Sequence, residues 1–289
     1  MKKIAMLLIL LLVLATVLAG CELGIMSPDT PTEAEKTSFL GLSPEIKYIA
    51  VALDISGSTL AAFSEDVRSG LAGKVAASVP PRSTTPENGA EEIPGFDMTI
   101  FLIGSENINV YNDVNTVGHK LHVVLSGVPT LDPRPAPPQK GVNEAYYDEY
   151  NQWKKDLQTW RDAYDACASA AKSASETILN MDITAKASGN QSGIFNAICG
   201  LIAAVNSNEM SVGVFSDLLE NGGIDKGLPP NGKSGRAVLC VPAPDGDMVA
   251  ANTRAEDLSG TMEAWGFDAA EIKYQGQLTA AINYLFLGG

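Results

Sequence analysis

Residues Tyr48-Ile49-Ala50-Val51-Ala52-Leu53 form an unbroken apolar run, the pattern of a strand buried on both faces of a sheet. After it, Leu60, Phe63, Val67, Leu71 and Val75 recur at steps of three and four, which predicts an amphipathic helix. Gly70 and Gly73 inside that helix either weaken it or let another element pack close. A loop marked by Pro80, Pro81, Pro86, Gly89, Pro94 and Gly95 leads to a second strand at 98–103 and a third at 121–125. No helical period separates those two strands, so they are expected to pair antiparallel at one edge. The pattern then predicts a helix over 193–205, strands at 211–216 and 237–241, and a helix carrying Leu258, Met262 and Trp265. A short strand at 272–274 and a helix near 278–286 follow. This alternation predicts an α/β, Rossmann-like fold with a mostly parallel sheet, one antiparallel edge strand and helices on both faces.

The alternation is interrupted between about residues 129 and 185. Pro133, Pro135, Pro137 and Pro138 make a stiff start. A long helix is then predicted, because Tyr146, Tyr150, Trp153, Leu157, Trp160, Tyr164, Cys167 and Ala171 step by four and three in a heptad seam. Charged residues beside the seam put its far side in water. The seam has two readings: a face packed on the domain's own body, or a face for a partner or a second copy. Under the second, Tyr146, Tyr150, Trp153 and Trp160 are the candidate contacts.

The amino-terminal end reads as targeting rather than fold. Lys2 and Lys3 precede an apolar stretch from Ile4 to Ala19, and Leu18-Ala19-Gly20 stand directly before Cys21. Basic, apolar and small-residue regions in that order predict a secretory signal over residues 1–20. Small residues before a cysteine resemble the bacterial lipobox, which implies acylation of Cys21. Each buried methylene of such a chain contributes about 0.8 kcal/mol to membrane attachment. Residues 21–44, rich in Pro, Thr, Ser and acidic side chains, read as a flexible tether. One domain is expected over 45–289, and no later apolar run is long enough to span a bilayer. The chain is thus expected to be an exported lipoprotein, held on the outer face of the cytoplasmic membrane or on the outer membrane.

Charge narrows the partners. The formal net charge is −14, and loss of Lys2 and Lys3 with the leader makes it −16. A nucleic-acid partner is not expected, nor a close embrace of anionic headgroups. With Cys21 assigned to lipid, Cys167, Cys199 and Cys240 remain, at spacings that match no zinc pattern. One disulfide with one free thiol is one outcome. Apolar surroundings favour the other, three buried reduced thiols.

The candidate chemistry lies where strands end. Asp54-Ile55-Ser56-Gly57-Ser58 closes the first strand, Ser192 stands just before the helix over 193–205, and Asp217 ends the strand at 211–216. In a parallel sheet these positions share the carboxyl edge, where ligands sit. Hard oxygen donors suit a hard divalent cation. At this point the chain resembles the von Willebrand factor type A domain, whose metal-ion-dependent adhesion site joins a DxSxS loop, a Thr loop and an Asp loop in this order.

The resemblance implies direct metal contacts from Ser56, Ser58 and Ser192, with Asp54 and Asp217 close by, often through water. It implies Mg²⁺, with Mn²⁺ or Ca²⁺ as substitutes, and one open coordination position for a carboxylate from a partner protein. A cation held mostly by neutral hydroxyls keeps much of its charge for that carboxylate. The chain departs from the family in three places. Ser192 replaces the usual Thr, Leu218 follows Asp217 where the family usually has Gly, and the stretch from 129 to 185 is longer than usual.

Enzymatic readings fit less well, so the expected role is binding, in adhesion or envelope assembly. The Asp54 loop resembles the first phosphate loop of actin-like kinases, but that fold continues into a hairpin and here a helix follows. A dehalogenase-type phosphatase needs a second Asp where Ser56 stands. A Ser/His hydrolase must use His119 or His122, which point to opposite faces of a strand. No Walker loop or GxGxxG fingerprint is present. The alternative is a structural scaffold lipoprotein whose metal site is idle and whose aromatic helix carries the contact.

Overall fold

The computed structural model describes residues 44–55, 61–104, 120–138, 143–183, 194–219, 232–242 and 248–287, all within one unit, Pro44–Gly289. The apolar runs become six strands: β1 (Ile46–Asp54), β2 (Gly95–Ile103), β3 (Lys120–Leu125), β4 (Glu209–Phe215), β5 (Ser234–Val241) and β6 (Glu271–Tyr274). They form one sheet in the order β3-β2-β1-β4-β5-β6. Among these strand pairings β2–β3 alone is antiparallel, as expected from the absence of a helical period in the sequence between them. β1 starts two residues before its apolar run because Ile46 and Lys47 pair with Gly95 and Phe96. Ladder pairing extends a strand beyond what its burial pattern reveals.

Among the described residues, five α-helices accompany the strands: α1 (Ala61–Ala76), α2 (Glu144–Leu179), α3 (Ile194–Ala204), α4 (Met248–Ala264) and α5 (Leu278–Leu285). Because side chains alternate along a strand, each strand serves two layers. Ala50, Ala52, Phe101, Ile103, Val212, Val214, Ala237, Leu239 and Val241 form one core with Ile198 and Ile202 of α3 and Ala255, Leu258 and Met262 of α4. Residues of the opposite parity face α1 and α5; a Cβ at Gly213 would press on Leu285 of α5. The α/β, Rossmann-like architecture with helices on both faces is therefore the fold of this chain.

Two glycines are dictated by close approach. Gly70 of α1 lets α5 settle against it, since a Cβ there would collide with Ile282 Cδ1. That resolves the double meaning of this glycine in favour of packing. Gly235 opens β5 at φ +127°, and a Cβ would drive into the backbone carbonyl of Met210. No L side chain is at ease there.

The heptad seam is an internal face. α2 lies along α1 and the edge strand β3, burying Trp153, Leu157, Trp160, Tyr164, Cys167 and Ala171. The seam runs on through Ser175 and Ile178. The Pro-rich segment straps its amino-terminal half: Trp153 Nε1 donates to Asp132 O at 2.9 Å, and Arg134 lies 4.8 Å over the Tyr150 ring. Lower down, Tyr164 Oη donates to Pro80 O at 2.5 Å. Trp153 and Trp160 are only 7% and 2% exposed, so the expectation of partner contact is corrected for these two. Their rings fill the seam because burying them stabilises the body by far more than exposure would allow. Tyr146 and Tyr150 are half-buried, and Tyr147 beside them is 51% exposed.

Candidate functional site

The strand order reverses direction between β1 and β4. From β1 the chain leads to β2 on one side, and from β4 to β5 on the other. In open α/β sheets the carboxyl edge at such a reversal is the usual ligand position; residues 56–60, which follow β1, lie outside the described residues. Asp54 is the last residue of β1, and Ser216 directly follows β4. Both side chains have the parity of Ala52 and Val214, the layer of α3 and α4.

The two meet at this edge of the sheet. Ser216 Oγ donates to Asp54 Oδ2 at 2.6 Å, and both residues are fully buried. A hydrogen bond to a charged group is stronger than one between neutral partners and is short. The backbone around Asp54 is equally determined. Ser64 Oγ of α1 donates to Asp54 O at 2.7 Å, and Ile55 N–H donates to Ile103 O at 2.9 Å.

The loop after β4 is tightly bonded. Ser216 N–H donates to Cys240 O at 3.3 Å, Leu218 N–H to Ser216 Oγ at 2.9 Å, and Leu219 N–H to Asp217 Oδ1 at 2.9 Å. The last of these is a side-chain turn typical of aspartate. Leu218 has φ +58°, the one positive φ among the described non-glycine residues. This is where the family resemblance expects Gly, and the difference is now physical. Leucine takes the left-handed conformation at a cost of about 1–2 kcal/mol, offset by burying its side chain in the α3/α4 core. From α4, Arg254 Nε donates to Asp217 O at 3.2 Å.

Of the five residues expected to surround a metal, Asp54 and Asp217 are brought to one rim, linked through Ser216. Ser56, Ser58 and Ser192 lie outside the described residues, as does Cys21. Ser216 was not among the expected site residues, although its alternation with Val212 and Val214 could have marked it as pointing into the same layer as Asp54. Arg254 carries no local signal at all. His122 sits on β3 and pairs with Asp97 Oδ1 at 2.7 Å on an exposed face, away from the crevice; His119 lies outside the described residues. Cys167, Cys199 and Cys240 are all free and buried. Burial pushes the Cys240 thiol up to about 12 and raises Cys167, where desolvation outweighs a backbone hydrogen bond with Gly127.

The acidic and hydroxyl side chains described at the rim carry oxygen: the Asp54 carboxylate and the Ser216 hydroxyl, both buried, and the half-buried Asp217 carboxylate. That donor chemistry fits a hard cation and not a soft one. Among the described residues no group of three or more His, Cys, Asp or Glu side chains could hold a metal, so any ion here relies on hydroxyls as well. No helix among them is long and apolar enough to cross a membrane. In comparisons with known proteins, the chain matches no protein-family model and no curated protein.

Proposed function

We propose that this chain is a membrane-anchored, extracytoplasmic binding domain of the von Willebrand factor type A kind, which engages a carboxylate of a partner protein through a divalent cation at the β1/β4 crevice. The observation that supports it most is the Ser216–Asp54 hydrogen bond at the reversal of strand order. Asp54 closes β1, and Asp217 stands two residues past the end of the neighbouring β4. Asp54, Asp217, Ser56, Ser58 and Ser192 would hold the ion, Mg²⁺ with Mn²⁺ or Ca²⁺ as substitutes. When bound, the ion supplies a positive charge that a partner Asp or Glu can complete.

The test uses the full chain in detergent micelles. Mn²⁺ titration followed by electron paramagnetic resonance should show one site, lost in Asp54→Asn. Capture of envelope proteins should require Mg²⁺ and vanish in EDTA. Capture at full strength in EDTA would refute the metal bridge.

A second reading is favoured by one observation. Tyr146, Tyr147 and Tyr150 cluster at the start of α2, with Tyr146 and Tyr150 stacked 5.9 Å apart and Tyr147 exposed. If the chain is a scaffold that binds through this helix, Tyr147→Ser combined with Tyr146→Ser removes association and Asp54→Asn leaves it intact.

A further inference from the structure

The loop between β4 and the rim is held in a conformation its own sequence disfavours. Leu218 is left-handed, yet its N–H must stay on Ser216 Oγ for Ser216 to be fixed as the donor to Asp54. If Leu218 relaxed to negative φ by a flip of the Asp217–Leu218 peptide, its N–H would turn away from Ser216 Oγ and the Ser216 hydroxyl would lose that donor. The peptide that leads into Leu218 has its carbonyl on Asp217, and this oxygen accepts from Arg254 Nε. Arg254 is on α4, whose buried face also packs in the core that receives the Leu218 side chain. Arg guanidinium is suited to this duty, being charged at every relevant pH and rigid in its donor directions.

We infer that Arg254 is a positioning residue for the crevice: by holding the Asp217 carbonyl it keeps Leu218 left-handed, and through Ser216 it fixes the Asp54 carboxylate and the start of the Asp217 side chain. The inference deepens the proposed cation site and rests on that reading for its functional meaning.

Two readouts on the full chain in micelles test it. The first needs no metal. In Arg254→Met, which keeps the apolar stem and removes the donor, amide exchange at Leu218 should accelerate by about tenfold or more. The Ile55 amide, bonded to Ile103 O at the same rim, should keep its rate. The second is Mn²⁺ affinity, expected to fall by about tenfold in Arg254→Met. In a Leu218→Gly background, where the left-handed conformation carries no penalty, the same substitution should change affinity by less than about threefold. Unchanged exchange at Leu218, or fully additive effects in the double variant, overturns the inference. Absence of Mn²⁺ binding in the unaltered chain, with accelerated exchange in Arg254→Met, sinks the metal reading and leaves the positioning of the loop standing.

Discussion

Ser216 Oγ and Asp54 Oδ2 are 2.6 Å apart although 162 residues separate them in the chain. The pair is fully buried, so the carboxylate and hydroxyl depend on each other. Removing the hydroxyl takes one donor from a buried carboxyl group, which is costlier than losing a surface contact. Ser216→Ala is therefore expected to destabilise the fold by about 1.5–3 kcal/mol, read from denaturant midpoints of the full chain. Asp54→Asn should cost less, because an amide oxygen can still accept from Ser216. If Ser216→Ala is silent, the bond is not formed in solution.

Seam residues should respond in opposite ways according to burial. Trp160→Ala empties a packed site and is expected to cost about 3–5 kcal/mol. Tyr147→Ser changes an exposed ring and should stay within about 0.5 kcal/mol. Equal, small effects from both would mean that α2 does not pack on α1 and β3 as described.

Gly235→Ala tests the tightest backbone approach in the sheet. The new methyl meets the Met210 carbonyl and the residue must keep φ +127°. Neither can be relieved by moving a flexible side chain. A loss of roughly 2–4 kcal/mol is expected, visible as a lower thermal midpoint. By contrast Gly70→Ala meets only the tip of Ile282, which can rotate, so its effect should be smaller.

Alkaline pH should weaken the fold through its buried thiols. Cys240 ionises at about 12 in the native chain, against 9.0 without burial, and Cys167 is raised as well. Below pH 9 both states hold the proton and there is no penalty. Above it the unfolded chain releases protons that the native chain retains, so stability falls as pH rises, by up to about 1.4 kcal/mol per unit for each fully shifted group. Denaturant midpoints at pH 8 to 11 should show the decline, and Cys240→Ala should flatten it. Consistent with burial, thiol reagents at pH 8 should leave these three cysteines unmodified until the chain unfolds.

Much of the molecule was readable from local pattern. The six strands, α1, α3, α5 and the helix ending near Trp265 stand where periodicity put them, because burial on one or two faces imposes periods of 3.6 and 2 on any chain. Even the antiparallel edge followed from the lack of a helical period between two strand patterns. The heptad seam was visible too, but not what it packs against. A seam reads the same whether its partner is another molecule or α1 of its own body. Burial of Trp153 and Trp160 decided that point.

The site divides in the same way. Asp54 and Asp217 were identified from their places at strand ends. Ser216 carries no such mark, because a serine at a strand end commonly means only that a turn begins. Its role depends on β4 lying beside β1 in a register that pairs Leu53 with Phe215. Nor does anything near residue 254 announce that its guanidinium reaches the Asp217 carbonyl.

By itself, the amino-acid sequence determined the kinds of element, their order along the chain, and which end of each strand carries oxygen-bearing side chains. These are short-range properties, set by periodicity and by residues a few positions apart. Tertiary structure alone decided that β1 and β4 are neighbours, that Ser216 donates to Asp54, that Leu218 is held left-handed and that the aromatic seam faces inward. Each depends on contacts between segments far apart in sequence, and such contacts follow from how whole elements pack, which no local pattern encodes.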